Sequence, residues 1–238
     1  MKLDILAFGA HPDDVELSCS GTILKHIRLG MKAGIVDLTN GEMGTRGNAD
    51  LRNEEAAVAG KILGISTREN MNFADGFFQN DKAHQLKIIS VIRKYTPEII
   101  LCNAIADRHP DHGKASKLIS DAVFLAGLVK VETLLDGKKQ EPWNTKAVYH
   151  YIQERYLQPD FVTDITDFIE VKMQAIKAYR SQFYNPNSNE RETAISSKEY
   201  LEFIESRAME MGSKINVPYA EGFTIDRVPG VNSLFDLL

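Results

Sequence analysis

The feature that most constrains this chain is a regular exchange of two hydrophobic periods. Five short apolar runs occur in the first 153 residues: "LDILAFG" (3–9), "KAGIVDLT" (32–39), "ENMNFAD" (69–75), "EIILCNA" (98–104) and "KAVYHYIQ" (146–153). Between them lie segments of helical spacing, "DVELSCSGTILKHIRLG", "LRNEEAAVAGKILGI", "DKAHQLKIISVIRKY" and "HGKASKLISDAVFLAG". Short runs of this kind suit strands covered on both faces, and strands joined through helices make parallel pairs with right-handed crossovers. The pattern predicts an α/β, Rossmann-like, mostly parallel sheet of core order 3-2-1-4-5 with helices on both faces.

The remainder reads differently. "FVTDIT" (161–166) predicts another strand, and "DFIEVKMQAIKAYRSQFY" and "SSKEYLEFIESRAMEMG" predict two helices. The polar stretch "NPNSNERETAI" (185–195) between those helices is a candidate lid, and "YAEGFTIDR" closes the chain as an extended segment. Residues 1–238 are expected to form a single domain with a helical and extended C-terminal extension.

Two polar motifs fall at equivalent places. "GAHPDD" follows the first strand and "ADRHPDHGK" follows the fourth, each at the start of a helix. In a 3-2-1-4-5 sheet these strands are neighbours at the point where the winding reverses, which is where ligands bind in such folds. His11 and Asp14 are three apart, as are His109 and His112, so each pair shares a face of its helical turn. Two imidazoles and one carboxylate make a three-ligand metal set with an open position for water, suited to Zn2+ and also open to Fe2+, Mn2+ or Co2+. Asp13 would then take a proton from that water, the remaining histidine would serve the oxyanion or the leaving amine, and Asp111 would orient an imidazole. Helix capping and the helix dipole account for the carboxylates and for Pro12 and Pro110. They do not account for three of the chain's six histidines lying in these two motifs.

Composition narrows the classes. With 28 Lys and Arg against 33 Asp and Glu the formal charge is −5, so no basic field gathers nucleic acid or anionic membrane. No run approaches a membrane span, and no leader pattern opens the chain, so a cytoplasmic protein is expected. Cys19 and Cys102 are the two cysteines, in no paired spacing that would indicate a disulfide framework. No GxGxxG follows the first strand and no GxSxG follows any, which removes the sheet's usual dinucleotide reading and a serine hydrolase. Arg46 and Arg52, just after the second strand, are close enough to reach the same crevice, and Arg52 could fork onto a substrate carboxylate. His26, His84 and His150 have no partner motif and read as structural or exposed.

The segments "ILAFGAHPDDVEL", "LRNEEAAVAGKILGI", "DRHPDHGKAS", "YRSQFY" and "YAEGF" resemble the LmbE-like (PIG-L) zinc-dependent N-deacetylases over nearly the whole chain. Their arrangement is most similar to the bacillithiol branch, the N-acetylglucosaminyl-malate deacetylases. The resemblance implies His11, Asp14 and His112 as zinc ligands and Asp13 as general base. It places His109 on the oxyanion or leaving group with Asp111 tuning it, Arg52 on substrate, and Tyr200 as a mobile oxyanion donor. With Arg46 and Arg108, Arg52 would favour an anionic aglycone. The implied partner is a small amino-sugar substrate, and the implied assembly a homo-oligomer, commonly a hexamer. Diacetylchitobiose or a mycothiol-type conjugate is the alternative substrate. A metal-dependent phosphoesterase and a metal-containing, non-catalytic sugar-binding protein are the readings from other classes.

Overall fold

The computed structural model describes residues 1–237 and has a seven-stranded sheet at its centre. In chain order the strands are β1 (Ile5–Gly9), β2 (Ala33–Thr39), β3 (Thr67–Phe73), β4 (Ile99–Cys102), β5 (Leu134–Leu135), β6 (Lys138–Lys139), β7 (Ala147–Tyr151), β8 (Phe161–Asp164) and β9 (Ala220–Ile225). Among the described residues the short β5 and β6 pair only with each other. The central sheet has the order β3-β2-β1-β4-β7-β9-β8, parallel from β3 through β7 and antiparallel at β7–β9 and β8–β9. The predicted 3-2-1-4-5 core is therefore present, with β7 as its fifth strand. The final extended segment, β9, inserts between β7 and the edge strand β8.

Every residue of β1 and of β2 is buried. Along β1 the side chains alternate: Leu6 and Phe8 join the core under α3 (Lys82–Tyr95) and α4 (Pro110–Ala126), and Ile5 and Ala7 join the core on the opposite face. That second core is shared by α1 (Asp14–Arg28), α2 (Ala49–Leu63) and α5 (Ile169–Lys177). Helix α6 (Lys198–Ser213) lies against β8 and β9 and so covers the C-terminal side of the sheet. Cys19 and Cys102 are both free and buried, as the absence of a disulfide framework leads one to expect.

Two elements differ from the sequence reading. The helix predicted through "DFIEVKMQAIKAYRSQFY" ends at Lys177. Beyond it, Tyr179 and Phe183 turn into the core, and the Ser181 N–H and hydroxyl bond the Glu55 carboxylate at 2.8 and 2.7 Å. A straight helix could not deliver all of these groups to α2. The β5–β6 hairpin is the second difference, and it turns through Asp136 and Gly137 at φ 50° and 75°. Asp-Gly is the dipeptide that tolerates this mirror-image turn.

Candidate active site

The two polar motifs meet at the carboxyl ends of β1 and β4, where the sheet reverses its winding. The turn after β1 is tight: a Cβ on Gly9 would stand 2.9 Å from the His11 carbonyl oxygen and 3.2 Å from the Asp14 Cβ. Asp13 sits at φ 121°, a conformation a side-chain-bearing residue occupies at a cost and one that clusters at functional sites. Arg52 of α2 restrains this strained turn. Its Nη1 donates to the Pro12 carbonyl at 3.2 Å and to Asp13 Oδ2 at 3.4 Å. Gly41, at φ 64°, leaves room for that guanidinium, since a Cβ there would lie 2.8 Å from Nη1.

His11, Asp14 and His112 converge. His11 Nδ1 lies 3.6 Å from Asp14 Oδ2, and His112 Nε2 lies 3.2 Å from Asp14 Oδ1. The outer nitrogen of each imidazole is held by another carboxylate: His11 Nε2 at 3.0 Å from Asp75 Oδ1, and His112 Nδ1 at 2.6 Å from Asp107 Oδ2. Carboxylates behind the outer nitrogens fix the rings so that their inner nitrogens face a common point, as in metal-ligating histidines. Among the described residues, the groupings whose ligand atoms all lie within 4.8 Å of one another are His11 with His109 and His112, and His11 with Asp75 and Asp111. In the first, the His109 Nδ1 already accepts the Asp111 N–H at 3.3 Å; in the second, both carboxylates stand on the outer side of His11. The set with Asp14 leaves each inner nitrogen free for an ion.

Charge points the same way. Asp13, Asp14, Asp75, Asp107 and Asp111 face this small region, balanced by Arg52 and by Lys114, which lies 2.5 Å from Asp111 Oδ1. Burial alone would depress the His11 pKa, yet hydrogen bonds with Asp111, Asp14 and Asp75 raise it well above its ordinary value. His112 is likewise lifted, to about 9, by Asp14 and Asp107 against the effect of burial. Asp13 is pushed up to about 7 by burial, with Arg52 opposing. The surplus of carboxylates is what a divalent cation would neutralise.

His109 caps α4 and is shifted down by burial and by the neighbouring His11 and His112. Because its Nδ1 accepts a backbone N–H, the neutral ring carries its proton on Nε2 and can donate from there. Asp111 accepts the Gly76 N–H at 2.7 Å and lies 3.7 Å from His11 Nε2, so it stands behind His11 rather than beside His109's free nitrogen. Tyr200, on α6, lines the same cavity of about 310 Å3 and stacks on Phe183 with centroids 6.2 Å apart; burial raises its phenol pKa. Arg108 also lines the cavity and pairs with Glu154 at 2.6 Å.

Arg46 is placed elsewhere. Its guanidinium bonds the Ser188 hydroxyl at 2.6 Å and Glu190 at 3.4 Å, while its carbonyl accepts from Gln182 at 2.9 Å. It ties down the 185–195 loop, because that loop brings the acceptors its buried head group needs. Thr193, Ala194 and Ile195, at the loop's end, line the cavity. The sequence reading passed over Asp75 and Asp107. Their common signal is an acid shortly after a parallel strand, at the same sheet edge as the histidine motifs.

Residues 6–123 match the GlcNAc-PI de-N-acetylase (PIG-L) family. The chain is 32% identical over 191 residues to a diacetylchitobiose deacetylase of Thermococcus kodakarensis, covering 75% of this chain and 70% of that one. A 4-oxalmesaconate hydratase of Pseudomonas putida is 28% identical, with 74% and 73% covered. A probable N-acetyl-alpha-D-glucosaminyl L-malate deacetylase 2 of Bacillus anthracis is 24% identical, with 75% and 81% covered. Among solved structures, the conserved protein TT1542 from Thermus thermophilus superposes with a TM-score of 0.86 at 35% identity, covering 98% of each chain. With its paired histidine motifs, its sheet and these relatives, the chain belongs to the PIG-L (LmbE-like) deacetylase family.

Proposed function

We propose that this protein is a zinc-dependent amide hydrolase that removes the acetyl group from N-acetylglucosaminyl malate. The observation that carries the metal-dependent reading is the convergence of His11, Asp14 and His112 with a carboxylate behind each imidazole. A divalent ion held by these three residues supplies Lewis acidity toward the acetyl carbonyl and makes a water more acidic. Asp13, held by Arg52 at the cavity wall, takes a proton from the attacking water as it adds to the carbonyl carbon. The His109 Nε2–H and the Tyr200 hydroxyl donate to the oxygen on which negative charge develops, a contribution worth ~3 kcal/mol per donor in comparable sites. The proton gathered by Asp13 passes to the departing amine, leaving acetate. Arg108, exposed at the cavity wall beside Glu154, is the cation that meets a malate carboxylate.

The amino-sugar part of this reading is supported by the family and by the diacetylchitobiose deacetylase relative, and the malate part by the Bacillus anthracis relative. A hexameric, cytoplasmic enzyme completes the proposal. The exposure of Val228, Leu234 and Phe235, each at least 80%, supports self-association, which light scattering measures. Among the described residues no helix is long and apolar enough to cross a membrane.

The test is release of free amine from N-acetylglucosaminyl malate, N-acetylglucosamine and diacetylchitobiose by metal-stripped and zinc-restored protein. Zinc-dependent release favouring the malate conjugate is expected. Preference for diacetylchitobiose would move the substrate while keeping the chemistry. Hydration of an unsaturated dicarboxylate without amine release would align the chain with the hydratase relative and overturn the proposal.

A further inference from the structure

Asp14 is held by more than its histidine neighbours. Asn103 follows β4 directly and Gln153 lies two residues beyond β7, so the sheet sets their side chains on either side of the Asp14 carboxylate. Asn103 Nδ2 donates to Asp14 Oδ2 at 2.9 Å, and Gln153 Nε2 donates to Asp14 Oδ1 at 3.1 Å. The His11 N–H adds a third bond, to Oδ2 at 3.0 Å.

The orientation of each amide is dictated by the backbone. Asn103 Oδ1 accepts the Ala10 N–H at 2.9 Å, which leaves only its nitrogen to face Asp14. Gln153 Oε1 accepts the Ala104 N–H at 3.2 Å and the second Asn103 proton at 3.0 Å, so its nitrogen must face Asp14 as well. Neither amide can flip without setting its oxygen against the Asp14 carboxylate and its NH2 against a backbone N–H. The clamp is anchored further out. Arg207 of α6 donates to the Gln153 and Glu154 carbonyls, and His150 Nδ1 donates to the Asn103 carbonyl at 3.0 Å.

We propose that Asn103 and Gln153 are positioning residues that hold Asp14 in metal-binding orientation. The inference rests on the metal-dependent reading above. Oδ2 accepts both the Asn103 amide and the His11 N–H, and Oδ1 accepts only the Gln153 amide, which leaves the free lone pair of Oδ1 on the side of His112 Nε2, 3.2 Å away. The donors are neutral, so they fix the carboxylate without supplying a cation that would compete with the ion for it. Groups in this position behind metal ligands typically change metal affinity about 10- to 100-fold when removed.

Gln153→Met and Asn103→Leu remove the donors at similar volume. Gln140→Met is the control: Gln140 is also buried and also hydrogen-bonded, at 2.9 Å to Ser90, but far from Asp14 in the chain and on the α3 side. Thermal unfolding of the metal-free proteins checks that each is folded, and the partly exposed Gln153 gives a decisive variant if Asn103→Leu does not fold. Zn2+ dissociation constants come from competition with a chromogenic chelator, and the visible spectrum of the Co2+ form reports ligand geometry. Expected are dissociation constants raised about 10- to 100-fold and an altered Co2+ spectrum in Gln153→Met and Asn103→Leu, with Gln140→Met unchanged. Wild-type metal affinity and spectrum in both clamp variants would overturn the clamp alone. Wild-type protein that takes up no metal would overturn the metal-dependent reading and the clamp with it.

Discussion

Replacing Lys172 by methionine removes one half of an ion pair on which the C-terminal extension depends. Lys172 of α5 and Glu221 of β9 are 2% and 4% exposed, and Nζ lies 2.6 Å from Oε1. Nζ also donates to the Leu17 carbonyl at 2.8 Å, and the Glu221 carboxylate accepts the Gly21 and Thr22 N–H groups at 2.9 and 2.7 Å. The pair thus joins α1, α5 and β9, with both side chains buried at the wall of the cavity. Taking away the ammonium leaves a buried carboxylate whose remaining partners are two dipoles, a loss of about 3–5 kcal/mol. For a chain of this size each kcal/mol moves Tm by about 2–4 °C, so a fall of about 6–20 °C is expected in a calorimetric or fluorescence melt. Glu221→Gln should cost a comparable amount, because it strands the ammonium instead. The double variant carries no stranded charge, and it should recover at least ~1 kcal/mol relative to the sum of the two singles. A cost below ~1 kcal/mol for Lys172→Met, or strict additivity in the double variant, would refute the claim that the pair is desolvated and mutually dependent.

Asp13→Asn should lower amide hydrolysis about 10²- to 10⁴-fold with zinc retained, as measured by amine release beside metal analysis. An unchanged rate would leave Asp13 without a proton-transfer role. Gly41→Ala places a methyl 2.8 Å from Arg52 Nη1 at a backbone φ of 64°. It should weaken catalysis by displacing the guanidinium from Pro12 and Asp13 and cost ~1 kcal/mol of stability, both readable in kinetics and a urea titration. Glu98 pairs with Lys146 and Lys2, and its pKa is lowered from 4.5 to about 2. Its folded value lies below its unfolded one, so the stabilisation is complete above pH 4.5 and is lost as pH falls toward 2. Glu98→Gln should flatten that part of the acid unfolding curve, and salt should diminish the difference because the pair is exposed.

The five parallel strands of the core and the two histidine motifs were legible in the sequence because each rests on a local rule. A strand buried on both faces must be short and apolar, and the 3-2-1-4-5 order assumed for such a sheet puts the loops after β1 and β4 side by side. His11, Asp13, Asp14, His109 and His112 stand in those loops, so their meeting followed from that assumed order. Tyr200 was reached through resemblance alone, and α6 carries it to the cavity wall.

What tertiary structure decided is the company these residues keep. Asp75, Asn103 and Gln153 sit beyond three different strand ends and Asp107 inside the second histidine motif, and no periodicity names the ring or carboxylate that each one holds. Arg46 and Arg52 are six positions apart on one segment, yet one faces the 185–195 loop and the other the strained turn at Asp13. In "DFIEVKMQAIK" Lys172 reads as a polar position of an amphipathic helix, but Glu221, 49 residues later, meets it in the core. Local periodicity specifies which face of an element is apolar. Which polar group can be buried depends on a partner delivered by another element, and that pairing exists only once the chain has closed around it.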